Sequence, residues 1–306
     1  METSTAESAM PPHPLRKNLG YLNWLLNPRH GLDASGIYDL LSTGSPTEHG
    51  LYLNLGYWRD ASTIDEASDA LATLAAESGQ MGARDTVLDC GFGFGDQDIL
   101  WAQTLQPKRI IGLNITESQV AIARRRIAEA GLQEQVDLRH GSATEMPIAA
   151  NSVDLVVALE SAFHFRTRER FFREAWRVLR PGGRLVTADI VPMPAVSQRS
   201  ARLKQRISWG LVASKFAIPD QNACTLPGYR SLFGRCGFEA IAVESIREQV
   251  YEPLHRYLVR HPERLLRLHP MVRLLTKAAL RSEPASVYAG LDYLLSRSEK
   301  PSESRA

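Results

Sequence analysis

The sequence predicts an α/β fold: a doubly wound, mostly parallel, seven-stranded sheet carrying an N-terminal helical cap and helical insertions. Three observations predict it. With 306 residues, 44% of them hydrophobic, the chain can bury one large core with appended caps. From Thr86 onward, apolar runs of strand length alternate with amphipathic runs of helix length, the rhythm of βαβ crossovers. The first of those runs ends in Asp89-Cys90-Gly91-Phe92-Gly93-Phe94-Gly95, an acid and three alternating glycines at a strand-to-helix junction.

Taken in order, residues 1–15 are small, polar and Pro-containing and read as a disordered tail. Residues 16–80 read as a cap, with Tyr38, Tyr52, Tyr57 and Trp58 as aromatic punctuation and a helical run over 64–78. The α/β core spans 81–196, with strands expected over 86–90, 109–114, 135–140, 153–159 and 184–190. Its helices are expected over 117–130, ended by Gly131, and over 169–179, stopped by Pro181-Gly182-Gly183. An amphipathic stretch in 197–225 interrupts the rhythm and is a candidate lid. The core continues over 226–250, with a helix near 229–236 and a strand over 238–245. A helical insertion occupies 251–285, where His261-Pro262 and His269-Pro270 begin near-repeats. The closing strand, 291–297, and a tail lie within 286–306.

Charge argues against a nucleic-acid partner, since 36 Lys and Arg against 34 Asp and Glu leave +2 with no basic stripe. Three separated cysteines, Cys90, Cys224 and Cys236, offer neither a disulfide framework nor a C-x-x-C metal site, so a reducing cytoplasm and no metal are expected. The first residues lack the apolar stretch of a secretory leader, and no run of about eighteen apolar residues predicts a membrane span.

The glycine spacing selects the ligand. A dinucleotide loop, G-x-G-x-x-G, needs glycine where Asp96 stands, and no G-K-[ST] follows for a phosphate loop. Carboxylates at the mouth would repel a pyrophosphate, whereas a zwitterionic ligand with a cationic sulfur tolerates Asp89 and Asp96.

Here the sequence resembles the class I S-adenosylmethionine-dependent methyltransferases, whose first motif is D-x-G-x-G-x-G. Further pieces of the pattern follow in order: Gly112, Met146-Pro147, Val153-Asp154-Leu155-Val156, and Arg177-Val178-Leu179-Arg180-Pro181-Gly182-Gly183. Leu53-Asn54-Leu55-Gly56-Tyr57-Trp58, Gly112-Leu113-Asn114-Ile115-Thr116 with Gln119, and Leu159-Glu160-Ser161 before His164 narrow it. They resemble the branch of sterol methyltransferases and O-methyltransferases of antibiotic sugars and polyketides.

The resemblance implies a Rossmann-like methyltransferase fold that takes S-adenosyl-L-methionine and releases S-adenosyl-L-homocysteine. It gives Asp89, Gly91, Gly93 and Gly95 to the cofactor loop, Asn114 with Gln119 to the ribose, Ser142 and Ala143 to the adenine side, and Glu160 to the cofactor-side loop. Tyr52, Tyr57 and Trp58 are expected around the methionine end, where aromatic faces attract a sulfonium. Two positions depart from the family pattern. Asn114 replaces the acid that usually grips the ribose hydroxyls, and Gly141-Ser142-Ala143 lacks the acid that often meets the adenine amino group.

Methyl transfer from a sulfonium is an in-line displacement, so a base is needed only when the nucleophile carries a proton. His164 and Asp189 fall at or just past the carboxyl ends of the fourth and fifth strands, on the ligand rim of an open sheet. A lone histidine beside Phe163 and Phe165 is by default a packing residue; its place in the family pattern favours a general base. Related sugar O-methyltransferases carry two adjacent histidines here, and Phe163 takes the first place; if that first histidine is the base, His164 only orients the substrate. Asp189 either orients the imidazole or accepts backbone hydrogen bonds.

The function read from the sequence is methylation of a hydroxyl oxygen of a small-molecule natural product. Its rivals are C- or N-methylation of a lipid or amine, and a non-catalytic S-adenosylmethionine-binding scaffold. The basic, Leu-rich block 255–281 is by default a solvated helix face; the sharper reading is contact with an anionic membrane or a lipid-like acceptor.

Overall fold

In a computed structural model, residues 45–302 are described; the expected tail over 1–15 and the first part of the expected cap, 16–44, lie outside the described residues. Helix α1 (Ile64–Ser78) starts at Thr63, whose side chain meets the Glu66 N–H while Glu66 reaches back to the Thr63 N–H. Its face of Leu71, Ala72, Ala75 and Ala76 is small enough to lie close against the sheet.

Seven strands follow: β1 (Thr86–Cys90), β2 (Arg109–Asn114), β3 (Val136–His140), β4 (Val153–Leu159), β5 (Leu179–Pro192), β6 (Glu239–Ser245) and β7 (Leu291–Glu299). Their order is 3-2-1-4-5-7-6, with β7 antiparallel to β5 and β6 and the other pairs parallel. The core helices are α2 (Asp96–Thr104), α3 (Glu117–Glu129), α4 (Arg168–Val178) and α6 (Leu226–Arg235), and α5 (Arg199–Lys215) occupies the expected lid. The insertion and its sequel contain α7 (Tyr251–Arg260), α8 (Pro270–Ala279) and the single turn α9 (Pro284–Val287).

Successive strand residues feed opposite layers. Val87, Ile110 and Leu155 pack with Trp101, Val120 and Ala123 on one face, while Leu88, Ile111 and Val156 pack with Phe171, Phe172 and Phe233 on the other. The carboxyl ends of β1, β2 and β4 therefore share one rim.

Two expectations shift. The fifth strand begins at Leu179, inside the expected helix end, because Leu179 already pairs with Val153; a register irregularity beside Val153 then takes up Pro181-Gly182-Gly183. The basic block is not one continuous helix. Pro262 opens a short 3-10 helix and Pro270 opens α8. Arg256 pairs with Glu252, Arg264 with Glu48, and Arg267 bonds the Thr47 and Glu48 carbonyls. No helix of the described residues is long and apolar enough to cross a membrane.

Candidate active site

The glycine loop turns through the left-handed region three times, at Gly91 (φ 96°), Gly93 (57°) and Gly95 (81°), where a side chain would be strained. Gly91 is also crowded by Ser161, whereas a Cβ on Gly93 would meet only the Leu53 Cδ1, at 3.8 Å. Gly95 is the N-cap of α2, so the first N–H groups of that helix open at the loop.

Asp89 is fully buried at the end of β1 and accepts from Gln97 Nε2 at 3.0 Å. It faces Asp98, equally buried. Burial pushes Asp89 up to about 7, and burial with the nearby Asp89 charge holds Asp98 well above the usual carboxylate range. Asp96 takes a different course: Arg126 grips both its oxygens, at 2.6 and 2.7 Å, and its Oδ1 also accepts the Leu51 N–H. The rim acid expected to repel anions is thus neutralised by a cation thirty residues further along the chain.

Asn114 and Gln119 come together as expected, with Asn114 Nδ2 donating to Gln119 Oε1 at 2.9 Å and to the Gly93 carbonyl at 3.3 Å. Gly141 N–H joins the Asn114 carbonyl, which sets Ser142 and Ala143 beside them. Ser142 Oγ pairs with Thr144 Oγ1 at 3.0 Å, and Ala143 is buried in the core. Glu160, after β4, accepts the Leu55 N–H at 2.6 Å and the Tyr293 hydroxyl at 2.7 Å, and burial pushes it up to about 7.

The aromatic residues divide. Tyr52 donates its hydroxyl to Asp69 at 2.6 Å and lies within electrostatic reach of Asp96 and Asp98. Tyr57 is half-buried, its N–H on the Ala67 carbonyl. Trp58 packs on Tyr257 with ring centres 4.9 Å apart, in a cluster with Ile64 and Leu254 that serves the core.

His164 ends a 3-10 turn, Ala162–His164, and is buried, its ring 4.1 Å from Phe163 and 6.2 Å from Phe216 at the end of α5. Burial holds it down to about 3, against a hydrogen bond to the Phe216 backbone and with help from the Arg168 charge. It is therefore a neutral imidazole. Of the two roles open to Asp189, its contacts are those of a strand-end acceptor and not of an imidazole partner: it accepts from Arg168 Nε at 2.7 Å, Tyr229 hydroxyl at 2.8 Å and its neighbour Ile190 N–H at 2.9 Å. A buried guanidinium outcompetes an imidazole for a buried carboxylate because it stays charged and presents a fork. Arg168, Asn222, Gln97 and Asp98 were not singled out by sequence, since none belongs to a recognisable spacing.

The cradle fits the cofactor that the sequence implied. Gln119 Nε2 is a buried donor that no protein acceptor meets, on the side chain that holds Asn114 against the Gly93 carbonyl, and a Cβ on Gly93 would face open space but for Leu53. The glycine loop lies at the switch point of this sheet, where open α/β sheets bind their ligands.

Comparisons with known proteins agree. The family model described as a methyltransferase domain matches residues 88–187. Erythromycin 3''-O-methyltransferase of Saccharopolyspora erythraea is 37% identical over 218 residues, covering 70% of each chain. The 27-O-demethylrifamycin SV methyltransferase of Amycolatopsis mediterranei is 34% identical over 202 residues, 65% of this chain and 71% of that one. Among solved structures, the 4+2 cyclase SpnF superposes with a TM-score of 0.64 at 22% identity, covering 94% of this chain and 96% of that one; this likeness concerns the fold alone. The chain belongs to the class I S-adenosylmethionine-dependent methyltransferases, and S-adenosylmethionine is its methyl donor.

Proposed function

We propose that the enzyme methylates a hydroxyl oxygen of a small natural product, with His164 as the general base. The observation that carries this reading is a neutral imidazole on the turn after β4, covered by Phe216 from the lid. The relatives named above are O-methyltransferases of such molecules.

S-adenosylmethionine supplies an electrophilic methyl group on a sulfonium. Asp89 and the three loop glycines hold its amino-acid end, Asn114 and Gln119 the ribose, and Ser142 and Ala143 the adenine side. Glu160 anchors the strap 53–58 at Leu55, and Tyr52 and Tyr57, before and within it, are assigned to the methionine end. The core over 81–196 and 226–250 carries the cofactor, and the cap, the lid over 197–225 and the insertion over 251–285 enclose the acceptor and exclude water. Burial makes His164 a weak base in this closed arrangement, and the backbone hydrogen bond to Phe216 works against that fall.

The test is turnover of His164→Ala across a panel of glycosylated and polyketide alcohols. A loss of about 10²–10⁴-fold with cofactor binding intact upholds the base. Unchanged turnover would take the base role from His164 and leave it to orient the acceptor, the role that Phe163 in the first histidine place leaves open, and turnover on carbon or nitrogen acceptors alone would support the C- or N-methylation reading. Cofactor binding with no turnover on any acceptor class would leave the scaffold reading. A lipid-like acceptor would also engage the exposed Val259, Leu266 and Leu274 of the basic block, which co-sedimentation with anionic but not neutral vesicles would reveal.

A further inference from the structure

We propose that Asn222 is a positioning residue: it fastens the turn carrying His164 to the segment that follows the lid helix, so imidazole and lid move as one unit. The inference rests on the reading of His164 as the acceptor-side base.

The geometry is specific. Asn222 Nδ2 donates to the Phe163 carbonyl at 3.0 Å and to the Phe165 carbonyl at 2.8 Å, the two carbonyls flanking His164. Its Oδ1 accepts the Arg168 N–H at 2.9 Å, at the start of α4. Both donors and the acceptor of the amide are used, and only one orientation of the group satisfies all three. Asn222 is 1% exposed, so these bonds face no competition from water.

The residue is itself held. Arg168 reaches the Asn222 carbonyl with Nη1 and the Ile190 carbonyl with Nη2, while Asp189 anchors its guanidinium from the end of β5. Six residues before Asn222 in the chain, Phe216 meets the imidazole from the lid side. The stretch from Phe216 to Asn222 therefore touches the base from above and grips its backbone from both sides. Motion of the lid as a unit must carry the turn with it or break three buried hydrogen bonds. No other uncharged side chain of this size offers two donors and an acceptor: aspartate keeps the shape yet turns an oxygen toward two carbonyls, and alanine leaves all three groups unmet.

The experiment begins with hydrogen exchange by NMR on the wild type. The Asn222 side-chain amide protons and the Arg168 backbone amide are expected to be protected together and to open at the same rate. Free exchange of the side-chain amide beside a protected Arg168 amide would overturn the proposal without any variant. The second arm follows the His164 ring titration in Asn222→Asp and Asn222→Ala. We expect it to rise from about 3 toward the ordinary value near ~6.5, with S-adenosylmethionine affinity within about twofold of wild type and kcat lowered about tenfold or more. An unshifted titration in a folded variant would overturn the positioning role. A shifted titration with unchanged kcat would uphold Asn222 and refute His164 as base, so the two readings fail separately.

Discussion

Ser161 stands against Gly91: a Cβ placed on that glycine would lie 2.4 Å from Ser161 Cβ and 2.8 Å from its Oγ, which donates to the Cys90 carbonyl at 2.5 Å. Gly91 is thus fixed by sterics as well as by its positive φ, while Gly93, facing open space, is constrained by φ alone. We expect Gly91→Ala to lose about 1–3 kcal/mol from overpacking in addition to backbone strain. Gly93→Ala should lose only about 1–2 kcal/mol, the cost of a left-handed residue. Gly93→Ala should nonetheless weaken S-adenosylmethionine by tenfold or more, because its Cβ enters the cradle. Urea unfolding and calorimetry separate the two effects; equal stability of the two variants would contradict the Ser161 contact.

The Asp89–Asp98 pair makes stability fall with pH. Both acids hold protons in the fold that the unfolded chain has released above about pH 4, so the native state binds more protons and loses stability as pH rises toward and through 7. His164 acts oppositely, gaining stability between about 3 and 6.5, so the wild-type profile is a sum. The difference isolates the pair: Asp98→Asn should gain on the wild type in thermal midpoint between pH 5 and pH 8. Cofactor binding at pH 6.5 should also release a proton, because the cationic ligand favours the ionised pair. Calorimetry in buffers of different ionisation enthalpy reads that number, and zero release would show that the ligand does not meet these acids.

The order of these elements was legible in the sequence because its signals are local. Strand bounds at 86–90, 109–114 and 153–159 and helix bounds at 64–78 match the structure, since apolar runs and the Thr63 and Glu66 cap are written in neighbouring residues. The residues expected around the glycine loop come together for the same reason: Asp89, the glycines and Asn114 with Gln119 lie within one βαβ unit. The long-range pairings were not legible. Arg168 meets Asp189 across 21 positions and Asn222 across 54, and Asp96 meets Arg126 across 30, pairings that no spacing encodes. Asp189 could be placed at the strand end but not assigned a partner, so the sequence left it between His164 and the backbone.

Glu160 joins two distant parts of the chain, with Leu55 and Tyr293 on the same oxygen. Leu53, in the same strap, is the side chain nearest to a Cβ on Gly93, so releasing the strap should loosen the cradle. Glu160→Ala is expected to weaken S-adenosylmethionine about 10–100-fold, the worth of about 1.5–3 kcal/mol for hydrogen bonds to a charged or proton-sharing acceptor. Glu160→Gln, which keeps an acceptor oxygen, should retain most of the affinity. Calorimetric titration decides; an alanine variant that binds like the wild type would detach the strap from the cofactor.

Asp189 offers the clearest contest between a catalytic and a scaffolding role. Its side chain is inaccessible and that of Arg168 is 1% exposed, and the pair is completed by Tyr229 and the Ile190 carbonyl. Removing one member of such a pair strands a buried charge and typically costs about 3–5 kcal/mol. If Asp189 instead oriented the imidazole from outside the fold's framework, Asp189→Asn would keep its thermal midpoint and lose turnover. The structure calls for the reverse order of events. Asp189→Asn and Arg168→Met should each lower the midpoint by several degrees, and the double variant should lose less than their sum, because it strands no charge. Any loss of kcat should track the unfolding of the His164 turn and recover on cooling. A midpoint unchanged in Asp189→Asn, with turnover abolished, would return the carboxylate to the imidazole.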